Sequence, residues 1–161
     1  MSKILLSLGS NKGDRAKYIA DAIAHCTKTV GTLLLKAPLY ETAAWGNTNQ
    51  NAFLNTVICL ETILSPKMVF KAIKAIEVLL KRSNSEHWGP REIDIDIILF
   101  EQLVVHTETL TIPHASMHLR NFVLQPAADI CPHWLHPVFN KSIENLLAAC
   151  PDTLEVELWK D

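Results

Sequence analysis

The sequence predicts an α+β fold: one antiparallel sheet with helices on one face, followed by a C-terminal hairpin and more helices. Three observations carry this expectation. Short apolar or alternating segments stand at 3–8, 32–41, 53–62 and in the stretch around 93–100, and such segments read as strands. Two intervening segments repeat their apolar residues every three to four positions, the period of an amphipathic helix. Clusters of Gly, Ser, Asn and Pro separate them, marking turns. The 161 residues fit one domain spanning 1–161.

KILLSL at 3–8 is short and apolar, a buried strand. The turn Gly9-Ser10-Asn11-Lys12-Gly13-Asp14 follows, with Asp14 placed to cap a helix. Ile19, Ala22, Ile23 and Cys26 form its apolar stripe, to about residue 29. A glycine-bearing loop between strand and helix invites a phosphate-loop reading. That pattern needs Gly-Lys-Ser/Thr at the helix start, and this chain has Gly13-Asp14-Arg15. The loop is read instead as a capped turn, or a flap over a ligand.

Residues 32–41 read as a second strand, and the polar segment 42–52 as a loop. Its length suits a functional loop better than a plain connection. Phe53 to Thr62 alternates as a third strand, with Phe53, Asn55 and Val57 on one face. Ser65-Pro66 is a helix start, an N-cap followed by proline at the first helical position. Val69, Phe70, Ile73, Ile76 and Leu80 line that helix to about Arg82, and 83–91 is a loop.

The fourth strand lies in HWGPREIDIDIILF, residues 87–100. Asp94 and Asp96 share one face and Ile93, Ile95 and Ile97 the other. The two acids, with Cα atoms roughly 6.5–7 Å apart, repel by about 2–3 kcal/mol at an effective dielectric of about 20. A bound cation reverses the sign of that cost. An acid–apolar alternation also fits a solvated strand face. The preceding Trp88-Gly89-Pro90-Arg91 favours an anionic ligand held through a metal.

Strand, helix, strand, strand, helix, strand is the split βαβ order of ferredoxin-like folds. Both helices then pack on one face, meeting the isoleucines, and Asp94 and Asp96 lie on the open face. The fourth strand runs beside the first, antiparallel to it. The 9–14 and 83–91 loops are expected at one end of the sheet and the 42–52 loop at the other. That loop would reach the acid pair only by folding across the open face.

Beyond the core, Leu99 to Val104 reads as a hairpin, although Glu101-Gln102 is not favoured turn chemistry. Leu110 to Pro113 is extended, a short helix is expected around Met117 to Gln125, a last helix over Ser142 to Cys150, and an edge strand at 154–158.

Net charge is −2 and pI about 6.4, which gives no basic surface for nucleic acid. No apolar run approaches the ~18 residues of a membrane helix. The N-terminus lacks the layout of a signal peptide. Cys26, Cys59, Cys131 and Cys150 are widely spaced and form no paired motif, as expected of buried thiols in a cytoplasmic protein.

His114 and His118 are four apart, but no cysteine has the spacing to complete a zinc site. His133 and His136, among prolines, are expected in a surface loop. No Gly-x-Ser-x-Gly elbow is present. Trp45, Phe53, Trp88 and Phe122 could stack on a flat heterocycle if they border the open face.

Several segments in order resemble the 6-hydroxymethyl-7,8-dihydropterin pyrophosphokinase family. They are LSLGSNKGD near the N-terminus, ET at 41–42, Gly46, Gln50, FLN at 53–55, HWGPREIDIDIILF, LTIPH at 110–114, MHLRNFVLQP at 117–126 and DICP at 129–132. The resemblance implies transfer of pyrophosphate from ATP to the hydroxymethyl group of the dihydropterin, giving AMP, in folate biosynthesis. It implies that Asp94 and Asp96 bind two Mg²⁺ ions and that Arg82 and Arg91 serve the phosphates. It assigns His87, Trp88, Arg91, Ile97, Thr111, His114 and Arg120 to ATP, and Thr42, Ala43, Trp45, Phe53, Asn55, Asp94 and Phe122 to the pterin. Phe53 and Phe122 would sandwich the ring. The chain departs from better-known members at Ala43-Ala44, where two prolines are common, and in the short 83–87 segment. It also departs at Thr109 and Ala115, where arginine and tyrosine are common. A ferredoxin-like binding or regulatory module without catalysis is the alternative, and a pure sensor has no need of the acid pair.

Overall fold

The computed structural model describes residues 1–43, 51–81 and 92–160. β1 (Ser2–Ser10) lies inside a six-stranded antiparallel sheet. Its neighbours are β4 (Phe53–Thr62) on one side and β5 (Asp94–Phe100) on the other. β5 is the edge on its side. The expected second strand divides in two, β2 (Thr32–Lys36) and β3 (Tyr40–Thr42), both paired with β4. The break falls at Ala37-Pro38-Leu39, because Pro38 has no N–H for a ladder. Thr56 Oγ1 holds the break by donating to the Ala37 carbonyl at 2.9 Å.

α1 (Arg15–Thr29) starts as its sequence dictates: Asp14 accepts the Lys17 N–H at 3.1 Å. Ile19, Ala22, Ile23 and Cys26 are its buried residues. α2 (Pro66–Lys81) buries Val69, Ile73, Ile76 and, in the same stripe, Glu77. The two helices cover the face formed by Ile4, Leu6 and Leu8 of β1, Leu54 and Ile58 of β4, and Ile95 of β5.

The opposite face is open only in part. α3 (Asn121–Ile130) and α4 (Ile143–Ala148) cover its far half. There Leu5, Val57, Cys59 and Leu99 pack against Val123, Leu124, Ala127, Ile143 and Leu146 as a second core. A bulge in β5 makes this possible. Leu6 pairs with Ile97 but Leu5 pairs with Leu99, so Ile98 is an extra residue. Ile98 and Leu99 join the second core and Phe100 returns to the first.

The expected hairpin at 99–104 is a turn whose return strand leaves the sheet. Glu101 takes the left-handed φ of 47° and the Leu103 N–H bonds to the Phe100 carbonyl at 2.9 Å. β6 (Val105–His106) then pairs with β7 (Thr111–Ile112) as a separate ribbon. A 3-10 turn at Met117–Leu119 precedes α3, where one short helix is expected. β8 (Glu157–Leu158) closes the sheet against β3, shorter than expected.

The placement of the 42–52 connection is a correction. Thr42 pairs with Phe53, Ser10 with Leu54, and Gly9 with both Asn55 and Asp94. The end of β1, the ends flanking this connection and the start of β5 therefore lie at one end of the sheet. α1 is a crossover that carries the chain back across the sheet, so β2 and β3 run parallel to β1 and finish where β1 finishes. Among the described residues no helix is long and apolar enough to cross a membrane.

His136 corrects a second expectation. It is 3% exposed rather than a surface residue. Its Nδ1 accepts the N–H groups of Val138 and Phe139 at 3.2 and 3.1 Å, and its ring stacks on Phe139. His133, by contrast, is exposed, with Nδ1 3.7 Å from Glu144 Oε1.

Candidate active site

The register of the sheet sets out the site row by row. Asp94 stands opposite Gly9, and Gly9 opposite Asn55. Asp96 stands opposite Ser7, and Ser7 opposite Val57. Residues opposite one another in an antiparallel pair share a face, so all of these lie on the face away from α1 and α2. Strands are about 4.8 Å apart, which separates the Asp94 and Asn55 backbones by about 10 Å across Gly9. The glycine is required there. A Cβ on Gly9 would lie 2.6 Å from Asn55 Oδ1.

Asn55 is buried, and its Nδ2 donates to Thr42 Oγ1 at 3.1 Å. That bond fixes the amide across β3 and β4, with Phe53 half-buried one pair nearer the sheet end. Ala43, next to Thr42, is exposed. Tyr40 donates its hydroxyl to Asp129 Oδ2, tying β3 to α3. Burial and the Asp129 carboxylate push the Tyr40 phenol up to about 12, so it stays a donor.

Asp94 and Asp96 are both half-buried. Lys81, the last residue of α2, places Nζ 3.6 Å from Asp94 Oδ1. Among the described residues no three His, Cys, Asp or Glu side chains converge. The acid pair would supply only part of a metal's ligand set. Its carboxylates and small neighbours fit a hard, oxygen-seeking cation that takes its other ligands from water or substrate.

Alongside Asp96 lies a cavity of about 210 Å³. Ile95, Asp96 and Ile97 of the edge strand form one side, Phe70, Ile73 and Lys74 of α2 another, and residues 109–111, 114 and 115 the third. His114 Nδ1 accepts the Ser116 N–H at 3.1 Å, which places the proton of the neutral ring on Nε2. Burial lowers the His114 pKa and outweighs the opposing pull of Asp96; Arg120 adds to the lowering. The ring is a neutral donor beside a carboxylate.

Arg120 occupies the N-cap position of α3, with its guanidinium 5.7 Å over the Phe122 ring. A residue expected on the nucleotide side and one expected on the pterin side thus stand together. The structure gathers Asp96, Ile97, Thr111 and His114 around one cavity, and Thr42, Phe53 and Asn55 on one corner of the sheet. Trp45, Arg82, His87, Trp88 and Arg91 lie outside the described residues.

Sequence reasoning passed over Ser7, Gly9, Lys81 and Glu77. Glu77 carried a signal: it is a carboxylate inside an apolar helical stripe, four residues after Ile73. Its Oε2 accepts the Ile95 N–H of the edge strand at 2.9 Å. Lys12 Nζ is 3.6 Å from Glu92 Oε1. Arg15 reaches Glu41 Oε2 at 2.7 Å and the Ala52 carbonyl at 2.9 Å, binding the start of α1 to the end of β3 and the start of β4.

A family model described as 7,8-dihydro-6-hydroxymethylpterin-pyrophosphokinase (HPPK) matches residues 5–132. The chain is 38% identical over 144 residues to the 2-amino-4-hydroxy-6-hydroxymethyldihydropteridine pyrophosphokinase of Aquifex aeolicus, covering 89% of each. It is 39% identical over 133 residues to the protein of the same name from Methylorubrum extorquens, covering 82% of this chain and 84% of that one. A Plasmodium falciparum HPPK-DHPS structure is similar with a TM-score of 0.74 at 18% identity, over 92% of this chain. That likeness concerns the fold, and the chain spans 44% of the solved chain's length.

Proposed function

The chain belongs to the 7,8-dihydro-6-hydroxymethylpterin-pyrophosphokinase family, and from that premise we propose that it transfers pyrophosphate from ATP to the hydroxymethyl oxygen of 6-hydroxymethyl-7,8-dihydropterin, releasing AMP. The observation that carries this reading is the position of Asp94 and Asp96. They stand two residues apart on the edge strand, at the sheet end where β1 and β3 finish and β4 begins, between a cavity and the Asn55 corner.

The reaction needs a triphosphate held still, its charge screened, and an alcohol aimed at the β-phosphorus. Asp94 and Asp96 are assigned to two Mg²⁺ ions. When bound, Mg²⁺ supplies screening for the triphosphate and acidity for the attacking alcohol. The chain's own groups do the rest. The base of ATP is assigned to the apolar part of the cavity, against Ile97, with Thr111 beside it. Neutral His114 offers its Nε2–H to a phosphate oxygen. Arg120, with Arg82, Arg91, His87 and Trp88, is assigned to the phosphate and nucleotide side.

The pterin is assigned to the corner formed by Thr42, Ala43, Phe53 and Asn55, with Trp45 and Phe122 completing its pocket. Asn55 spends one N–H on Thr42 and keeps its second N–H and its carbonyl for the ring's polar edge. Gly9 leaves room for the Asn55 amide to stand in the row that leads to Asp94. Cys26, Cys59, Cys131 and Cys150 are unbridged, which suits a reducing compartment, and we place the reaction in the cytoplasm.

The test is a coupled assay for AMP with purified protein, both substrates and Mg²⁺. The expected result is AMP formation that needs the pterin and stops with chelator. Binding of both ligands without AMP would favour the non-catalytic module.

A further inference from the structure

β3 is three residues long, and its last residue, Thr42, is the one that fixes Asn55. So short a strand needs an anchor, and Tyr40 supplies one. Tyr40 stands opposite Asn55 in the β3–β4 register, and Thr42 opposite Phe53. Opposite residues share a face, and so do residues two apart on a strand. Tyr40, Thr42, Phe53 and Asn55 therefore lie on the side of the sheet where Val57, next along β4, packs against α3. The Tyr40 ring is buried, and its hydroxyl donates to Asp129 Oδ2. Gln125 Nε2 donates to the other oxygen of that carboxylate at 3.3 Å. Phe122, Gln125 and Asp129 are spaced three and four apart, so they line one face of α3. The phenol thus grips the far end of the helical stripe that begins at Phe122. Asn121, at the near end, is tied instead to Asp152 of the C-terminal segment.

We propose that Tyr40, through Asp129, is a positioning residue for the pterin: it sets the separation between the Phe53 and Asn55 wall on β4 and the Phe122 wall on α3. The inference rests on the assignment of the pterin to that corner. A flat ring gains stacking on both faces only when the two walls stand at the right spacing. The apolar contacts of α3 with the second core are non-directional and do not fix such a spacing. A hydrogen bond from a buried phenol to a charged acceptor is directional and does. The hydroxyl is committed to α3, so Tyr40 acts through Phe122 rather than on the substrate.

The experiment titrates α,β-methylene-ATP, and then the pterin in its presence, into wild type, Tyr40→Phe, Asp129→Ala, Asp129→Asn, Phe122→Ala and the Tyr40→Phe/Phe122→Ala pair. Phenylalanine removes only the hydroxyl, and asparagine keeps an oxygen to accept it. Tyr40→Phe and Asp129→Ala should each bind the pterin about tenfold more weakly, the loss of a preorganised pocket, with affinity for the nucleotide analogue unchanged. Asp129→Asn should recover most of the loss. In the Phe122→Ala background Tyr40→Phe should cost nothing further, because both changes undo one wall. The melting midpoint of Tyr40→Phe should fall by about 2–4 °C, the effect of one lost hydrogen bond, and intact binding of the analogue shows that the fold survives. Equal pterin affinity in wild type and Tyr40→Phe would overturn the inference. So would additive losses in the double variant, or an equal loss for the analogue, which would mark a general loosening of the sheet. A wild type that binds the analogue but no pterin would instead overturn the pterin reading of the corner, and the positioning role with it.

Discussion

Two carboxylates on one strand face favour a cation, and Lys81 brings one to 3.6 Å from Asp94. Asp96 instead faces His114, which burial keeps neutral. Replacing Asp96 with alanine removes a proposed metal ligand without opening a core. AMP formation should fall by roughly a thousandfold or more, while circular dichroism and the melting midpoint stay close to wild type. Full activity in that variant would sink the two-metal reading. Phe122 is a sharper test of the other substrate. Its ring packs partly on the second core and has Arg120 on one side. Phe122→Ala should weaken pterin binding about tenfold through lost stacking and leave ATP binding nearly unchanged. A larger effect on ATP would move Phe122 to the nucleotide side.

Elements that follow from local chemistry were legible in the sequence, and those that follow from a neighbour were not. Asp14 caps α1 through the Lys17 N–H as its position before an apolar stripe implied. Asp14→Ala should cost about 1 kcal/mol, read as a lower denaturant midpoint. The bulge at Ile98 has no local signal. It exists because two cores on opposite faces both claim this end of β5. Gly9 shows the same limit, since a glycine after a strand reads as turn chemistry. Its purpose appears only when Asn55 arrives from β4 with Oδ1 where a Cβ would stand. Gly9→Ala should push the Asn55 amide off Thr42 and raise KM for the pterin about tenfold, with KM for ATP little changed. Equal effects on both substrates would argue for a general distortion of the sheet.

Across the whole molecule, two helical layers clasp the sheet unequally. α1 and α2 cover one face, while α3 and α4 cover only the half away from the acid pair. The other half of the second face, where Asp94, Asp96 and Asn55 stand, is the proposed site. The C-terminal layer brings in buried histidine. Burial, and next to it His118, lowers the His136 pKa from 6.5, and burial lowers that of His114 from the same value. The unfolded chain therefore binds protons that the folded chain resists. Stability is fully present above the unfolded value of 6.5 and is lost as pH falls below it toward the lowered folded values. The urea midpoint should drop between about pH 7.5 and about pH 5. His136→Asn, whose carbonyl can accept the same backbone N–H groups, should flatten part of that dependence. An unchanged slope would place the effect elsewhere.

The sequence by itself determined the strand and helix periods, the cap of α1, the shared face of Asp94 and Asp96, and the family. Each of these is written in neighbouring residues or in motifs with fixed order. Tertiary structure alone decided which loops meet. The 42–52 connection leaves the sheet at the acid pair's end because α1 crosses back and turns β2 and β3 parallel to β1. It also decided that His136 is buried, that Glu77 answers a strand edge, and that Lys74 faces a cavity. Those facts depend on residues far apart in the chain, and no local pattern records which distant surface a side chain will meet.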